Sequence, residues 1–349
     1  MEKDYLRISS TVLVSLLFGL ALVLVNSWFN QPGVEEVVPR STYLMVMIAL
    51  FFIDTVAFIF MQLYFIYDRR QFSNCVLSLA FLSCLIYFVI TVIIIQQIIE
   101  ERLTSSVVQN DIAIYYLFRQ MSLCILIFLA LVNKVSENTK QRNLFSKKMT
   151  LCISLFFVFG GPIVAHILSS HYESYNLHIA ELTNENGQVV WKASYVTIMI
   201  FMWLTLLSVN LYFNGLRYDI WNGVTVIAFC AVLYNISLLF MSRYSVSTWY
   251  ISRTIEVVSK LTVMVIFMCH IFSALRVTKN IAHRDPLTNI FNRNYFFNEL
   301  TVQSASAQKT PYCVMIMDID HFKKVNDTWG WRSGDKNSGE HHWEKHTTR

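Results

Sequence analysis

The sequence predicts an all-α polytopic membrane bundle of about eight transmembrane helices, followed by a short α/β fragment. Three observations predict it. The 349 residues are 55% hydrophobic and only 15% charged, with a mean hydropathy of +0.45, outside the range of ordinary soluble proteins. Several apolar runs reach the length of about 20 residues that spans a hydrocarbon layer. Near the far end, an apolar run from Tyr312 to Met317 stops at Asp318 and gives way to carboxylates, lysines and glycines. That is the pattern of a buried strand delivering polar groups at its carboxyl end, where open α/β sheets bind ligands.

The first apolar run, 8–29, is too long for the core of a cleavable signal peptide and ends without a small-residue cleavage pattern. It reads as the first membrane helix. Further spans are expected at 42–67, 74–99, 112–133, 149–170, 193–214, 221–241 and 251–275. An even number of spans puts both ends on one side. Lys3, Arg7, Arg69, Arg70, Lys147, Lys148 and Arg276 fall on that side, whereas the opposite loops carry few bases among several glutamates. Basic loops stay in the cytoplasm, so both termini are expected inside, in a bacterial-type inner membrane. The outward loop 171–192 is too short for a separate sensory domain.

Ionisable residues within spans are costly in lipid and are expected to face the bundle interior or an interface. They are Asp54, Arg119, His166, Arg253, Glu256, Lys260 and His270. Arg253, Glu256 and Lys260 share one helical face. That face is either an internal ion pair with a helix-end anchor, or a surface that holds a ligand or changes partners. Gly160-Gly161-Pro162 marks a flexible point in the fifth span, a packing kink rather than a gate. The seven cysteines show no metal-ligand spacing and read as small apolar packing residues. The last span continues without glycine or proline to Pro286, which predicts one helix leaving the membrane and ending just before that proline. Asp285 and Thr288 are expected to cap the next helix, bearing Phe291, Tyr295, Phe296 and Leu300.

Asp318 and Asp320 stand two apart, so only one can face a given metal if both are extended. Lysines follow within a turn, then Asn326, Gly330, Gly334 and Asp335. A carboxylate, a backbone carbonyl and a lysine suit Mg²⁺ with nucleotide phosphates, although the stretch alone equally fits a strand and a solvated turn.

Upstream runs Asp285-Pro286-Leu287-Thr288-Asn289-Ile290-Phe291-Asn292-Arg293. Together with the acidic run from Asp318 to Asp335, in this order and spacing, it resembles the opening of a GGDEF domain. That family comprises the diguanylate cyclases, which join two GTP molecules into cyclic di-GMP. The eight spans ahead of it are similar to the MASE4 group of membrane sensors. The resemblance implies a truncated α/β fragment of GGDEF type, a ferredoxin-like cyclase fold. It also implies Mg²⁺ on Asp318 and the carbonyl of Ile319, with Lys323 stabilising charge on the transferring phosphoryl group. Asn326 and Asp335 would bind the guanine of GTP. A histidine usual in the family is here Trp331, which lacks the imidazole acceptor. Pairing of two subunits through the emerging helix is a further implication, alongside membrane lipid as a partner and no nucleic acid.

The domains expected are a transmembrane sensor region at 1–275, a signalling helix at 276–285, the start of a GGDEF domain at 286–336 and a polar tail at 337–349. The sequence contains no Gly-Gly-(Asp/Glu)-Glu-Phe hairpin, which carries the family's second metal carboxylate. Back-translation of Gly339–Thr348 from the second base of each codon yields an amphipathic pattern such as Val-Asn-Ile-Ile-Gly-Lys-Ser-Ile. A frameshift near Trp331–Lys336 is therefore expected, and His341, His342 and His346 belong to a random tail rather than a zinc site. The expectation is a truncated inner-membrane diguanylate cyclase, inactive as this chain stands. The alternatives are a membrane receptor subunit that pairs with intact cyclases and a transporter, for which no inverted repeat is visible.

Overall fold

The computed structural model describes residues 40–99, 105–139, 146–183, 188–215, 220–240, 246–285, 288, 290–306, 313–318, 320, 321, 323, 324 and 327. The expected first span at 8–29 lies outside the described residues. The chain divides into two units, Met1–Ile271 and Phe272–Arg349.

In the first unit the helices are α1 (Arg40–Tyr67), α2 (Phe72–Ile99), α3 (Ser105–Thr139), α4 (Lys147–Leu155), α5 (Gly161–Ile167), α6 (Ala193–Asn214), α7 (Trp221–Phe240) and α8 (Val246–His283), which continues into the second. With α4 and α5 forming one interrupted span, seven helices among the described residues are long and apolar enough to cross a membrane. These spans coincide with the expected ones apart from their ends. Apolar side chains all round leave the choice of buried face to packing: α2, α3 and α7 are mostly enclosed, and the other spans bury one stripe. On α1 the buried stripe is Met47, Leu50, Asp54, Ala57 and Met61, so a carboxylate stands where an apolar residue is the rule.

Glycines set the closest approaches. A Cβ on Gly161 would lie 2.5 Å from the Tyr87 hydroxyl of α2, itself 3.0 Å from Ser122 Oγ of α3. Just before it, Phe156–Gly160 forms a π-turn in which the Gly161 amide donates to the Phe156 carbonyl. Pro162 has no N–H to donate back along the helix, and the wider turn absorbs that loss. The expected kink is therefore a packing device. Gly223 similarly leaves room for Val263 and Phe267 of α8.

The connection between α5 and α6 is ordered by polar side chains of α3. Within it, β1 (Ala180–Thr183) pairs antiparallel with β2 (Gln188–Trp191), with Ala180 opposite Trp191 and Thr183 opposite Gln188. Asn110 Oδ1 accepts from the amides of Ile179 (3.0 Å) and Ala180 (3.1 Å), while Asp111 accepts from the Ser170 amide (2.9 Å) and hydroxyl (2.6 Å). Of the cysteines, Cys84, Cys124 and Cys230 are buried as packing residues, whereas Cys152, Cys269 and Cys313 are exposed.

In the second unit α8 ends at His283, close to the expected stop before Pro286. The next helix, α9 (Arg293–Ser306), is capped by Asn292 rather than by Asp285. Asn292 Oδ1 accepts from the Tyr295 amide at 3.0 Å. Asp285 instead closes a local turn, accepting from the Thr288 amide (3.0 Å) and hydroxyl (3.1 Å). The chain returns at Phe291, which bridges to Arg284 and stacks on Tyr295 at 3.9 Å. Phe291 thus precedes the helix it was expected to ride on.

Candidate functional site

Of the expected nucleotide-site residues, Asp318 and Lys323 are described; Ile319, Asn326, Trp331 and Asp335 lie outside the described residues. Residues 313–317 run without ladder partners among the described residues, and Ile316 is 92% exposed. The buried strand expected at Tyr312–Met317 is therefore not formed over its described residues, Cys313–Met317. An apolar segment becomes a buried strand only when neighbouring strands take up its N–H and C=O groups and a second layer covers its faces. Beyond Asp318 the backbone turns sharply at His321 (φ +58°), and the Lys324 amide donates to the His321 carbonyl at 2.8 Å. Lys323 and Lys324 then stand in helical geometry, within a turn of the acidic tip as expected. Asp318, Asp320 and Lys323 are all exposed.

The most elaborate polar constellation lies inside the first unit. Glu256 of α8 receives Arg119 of α3 at 2.6 Å on Oε1 and Arg253 at 2.6 Å on Oε2. Lys260 donates to Asp54 of α1 at 2.5 Å and stands 3.7 Å from Glu256. All five side chains are buried. The shared face of Arg253, Glu256 and Lys260 is thus real, but the better partner of Lys260 comes from α1. Aromatic faces take up part of the cationic charge: Arg119 lies 4.5 Å from the Phe88 ring centre, and Arg253 lies 4.6 Å from that of Tyr116.

Next to Arg119 in sequence, Gln120 Oε1 accepts from Trp203 Nε1 (3.1 Å) and from the Tyr234 hydroxyl (2.8 Å). That amide joins α3, α6 and α7 at a single atom. Sequence reasoning passed over it because uncharged polar residues in spans carry little signal; only its place beside Arg119 could have raised it. Of the two settings expected for His166, the bundle interior or an interface, it does not occupy the first. It is exposed near the end of α5, where its Nδ1 lies 3.2 Å from the Tyr115 hydroxyl and its ring 4.4 Å from that of His171.

A polytopic bundle with a buried charge network, continued by a helix into an acidic motif, defines a membrane-anchored signalling class, and the comparisons agree. Residues 39–275 match the profile of the membrane-associated sensor, integral membrane domain MASE4, and residues 282–337 match the diguanylate cyclase GGDEF domain. The chain belongs to the membrane-anchored diguanylate cyclases that join these two domains. It is 99% identical over 336 residues to the probable diguanylate cyclase DgcT of Escherichia coli (strain K12), covering 96% of this chain and 74% of that protein. Diguanylate cyclase DosC of the same organism is 37% identical over 62 residues, 17% of this chain and 14% of its own. YhcK of Bacillus subtilis (strain 168), described as uncharacterized, is 40% identical over 58 residues, 16% of each chain. No solved structure matches.

Proposed function

We propose that this chain carries the sensing and signalling half of a diguanylate cyclase, and that the 349-residue polypeptide does not itself make cyclic di-GMP. One observation carries the reading. The segment that should be the central strand of a nucleotide-binding sheet presents Val314, Met315, Ile316 and Met317 to solvent. The donor set supports it. The motif supplies one carboxylate at Asp318 and the carbonyl of Ile319. Those residues do not make a complete Mg²⁺ site for a nucleoside triphosphate, so no step is derived through a metal. In an assembled site Lys323 would meet a phosphate oxygen and Asn326 and Asp335 would contact the base, with Trp331 at the position usually held by histidine. GTP and a second subunit are the partners of the assembled enzyme.

Incubating the purified chain with GTP and Mg²⁺ tests the activity; no cyclic di-GMP is expected, and its formation would overturn the reading. A fluorescent protein fused after Arg349 tests the orientation, because it matures only in the cytoplasm and is expected to glow. A second reading, a membrane subunit that pairs with intact cyclases, draws on the apolar side chains that α8 leaves exposed, among them Leu261, Val265, Phe272 and Leu275. Co-purification of a tagged copy with an intact MASE4 cyclase is its test.

A further inference from the structure

Two histidines meet where α5 gives way to the connection that follows it. His166 lies on the last turn of α5 and His171 beyond its end, at a sequence spacing that would set them on different sides of a continuous helix. But α5 stops at Ile167. The chain then turns, with the Ser169 amide donating to the His166 carbonyl (3.3 Å) and the Tyr172 amide to that of Ser169 (3.3 Å). The two imidazole rings end 4.4 Å apart, tilted by 48°. The turn is itself anchored, since Asp111 near the start of α3 accepts from the amide and hydroxyl of Ser170.

Both rings are oriented through the same nitrogen. His171 Nδ1 lies 3.0 Å from Ser169 Oγ, and His166 Nδ1 lies 3.2 Å from the Tyr115 hydroxyl. The Ser169 hydroxyl has a single hydrogen, which goes to the His166 carbonyl at 2.7 Å. Towards His171 that oxygen can only accept. The proton of the neutral ring therefore sits on Nδ1, and Nε2 carries a bare lone pair. The Ser169 and Tyr115 hydroxyls are neighbours of each other, so both Nδ1 atoms turn towards one polar cluster and both Nε2 atoms away from it. Both histidines are exposed.

We propose that His166 and His171 form a binding site for a divalent transition-metal ion, each giving its Nε2. Imidazole nitrogen suits ions such as Cu²⁺ and Zn²⁺, and a ligating histidine has its other nitrogen fixed by a hydrogen bond, as both have here. The spacing agrees. With metal–nitrogen bonds of about 2.0–2.1 Å, two imidazoles in adjacent positions on one ion have ring centres roughly 4.5–5.2 Å apart. The observed 4.4 Å needs only a small side-chain rotation to match. Among the described residues no third His, Cys, Asp or Glu joins them, which leaves the ion's remaining positions open to water. An ion held there closes the turn after α5, and through Ser170 and Asp111 that turn is bound to α3. The inference goes beyond the cyclase reading and does not rest on it, because binding alone reads it out.

The test uses the whole chain in tag-free phosphatidylcholine nanodiscs, with His341→Ala, His342→Ala and His346→Ala removing the competing imidazoles of the tail. Cu²⁺ is the probe, its affinity measured by calorimetry and its nitrogen ligands counted by electron paramagnetic resonance. One saturable ion with two nitrogen ligands is expected. His166→Gln and His171→Gln should each weaken binding by about tenfold or more and leave a single-nitrogen spectrum. Ser169→Ala, which frees Nδ1 of His171 and keeps both rings, should weaken binding by about tenfold with the two-nitrogen spectrum retained. Absence of saturable binding, or an affinity unchanged in His171→Gln, would overturn the site. Should His166→Gln fail to fold, His171→Gln, at an exposed position in the turn, decides the matter alone.

Discussion

The two units of this chain treat apolar side chains in opposite ways. In the membrane unit, polar groups are the ones with specific partners: Asp54, Glu256 and Gln120 each bind residues of other helices, and apolar surface is left for lipid to cover. In the second unit, apolar residues of the motif stretch, Val314 to Met317, lie open although the sequence marks them for burial. The same alphabet serves two solvents. In lipid an exposed leucine is satisfied and an unpaired carboxylate is not, whereas in water the reverse holds. A helix satisfies its own backbone wherever it lies, but a strand depends on neighbours.

The largest expected effect breaks the comparison on the membrane side. Lys260→Met leaves Asp54 buried without its cation and should cost about 3–5 kcal/mol, measured by denaturant titration in mixed micelles. Adding Asp54→Asn should recover most of that loss. A single variant as stable as the parent would show that the pair contributes nothing to holding α1 against α8. Next comes Gly161→Ala, whose Cβ would meet the Tyr87 hydroxyl at 2.5 Å. A loss of about 1–3 kcal/mol is expected from overpacking, visible as a lower unfolding midpoint. Trp203→Phe removes one of the two donors to Gln120 Oε1 and keeps the ring, so about 1 kcal/mol should go.

The smallest effect belongs to the other unit. Ile316→Ser, at a position 92% exposed, should change stability by less than about 0.5 kcal/mol. Hydrogen exchange sharpens the same contrast. Amides of Val314–Met317 should exchange near the free-chain rate, while those of Leu123–Ala130 within α3 stay protected. Protection at Val314–Met317 would mean that a sheet has formed around them, and the reading of an inactive polypeptide would fall with it.

The sequence by itself determined the spans, because hydropathy sustained over a membrane thickness needs no partner to be recognised. It also marked Arg253, Glu256 and Lys260 as one helical face, since the period of a helix is local, and it placed the acidic tip and the lysines after it. Tertiary structure alone decided which partners those charges take. Lys260 meets Asp54 across 206 residues of chain, a distance over which no local pattern carries information, and its neighbour Glu256 turns out to be the farther contact. The helix cap moved from Asp285 to Asn292 for a similar reason: both residues are good caps, and the bridge from Arg284 to Phe291 selected the later one. Burial of Val314–Met317 was legible as a requirement and not as an outcome, because a strand is stable only in the company of others.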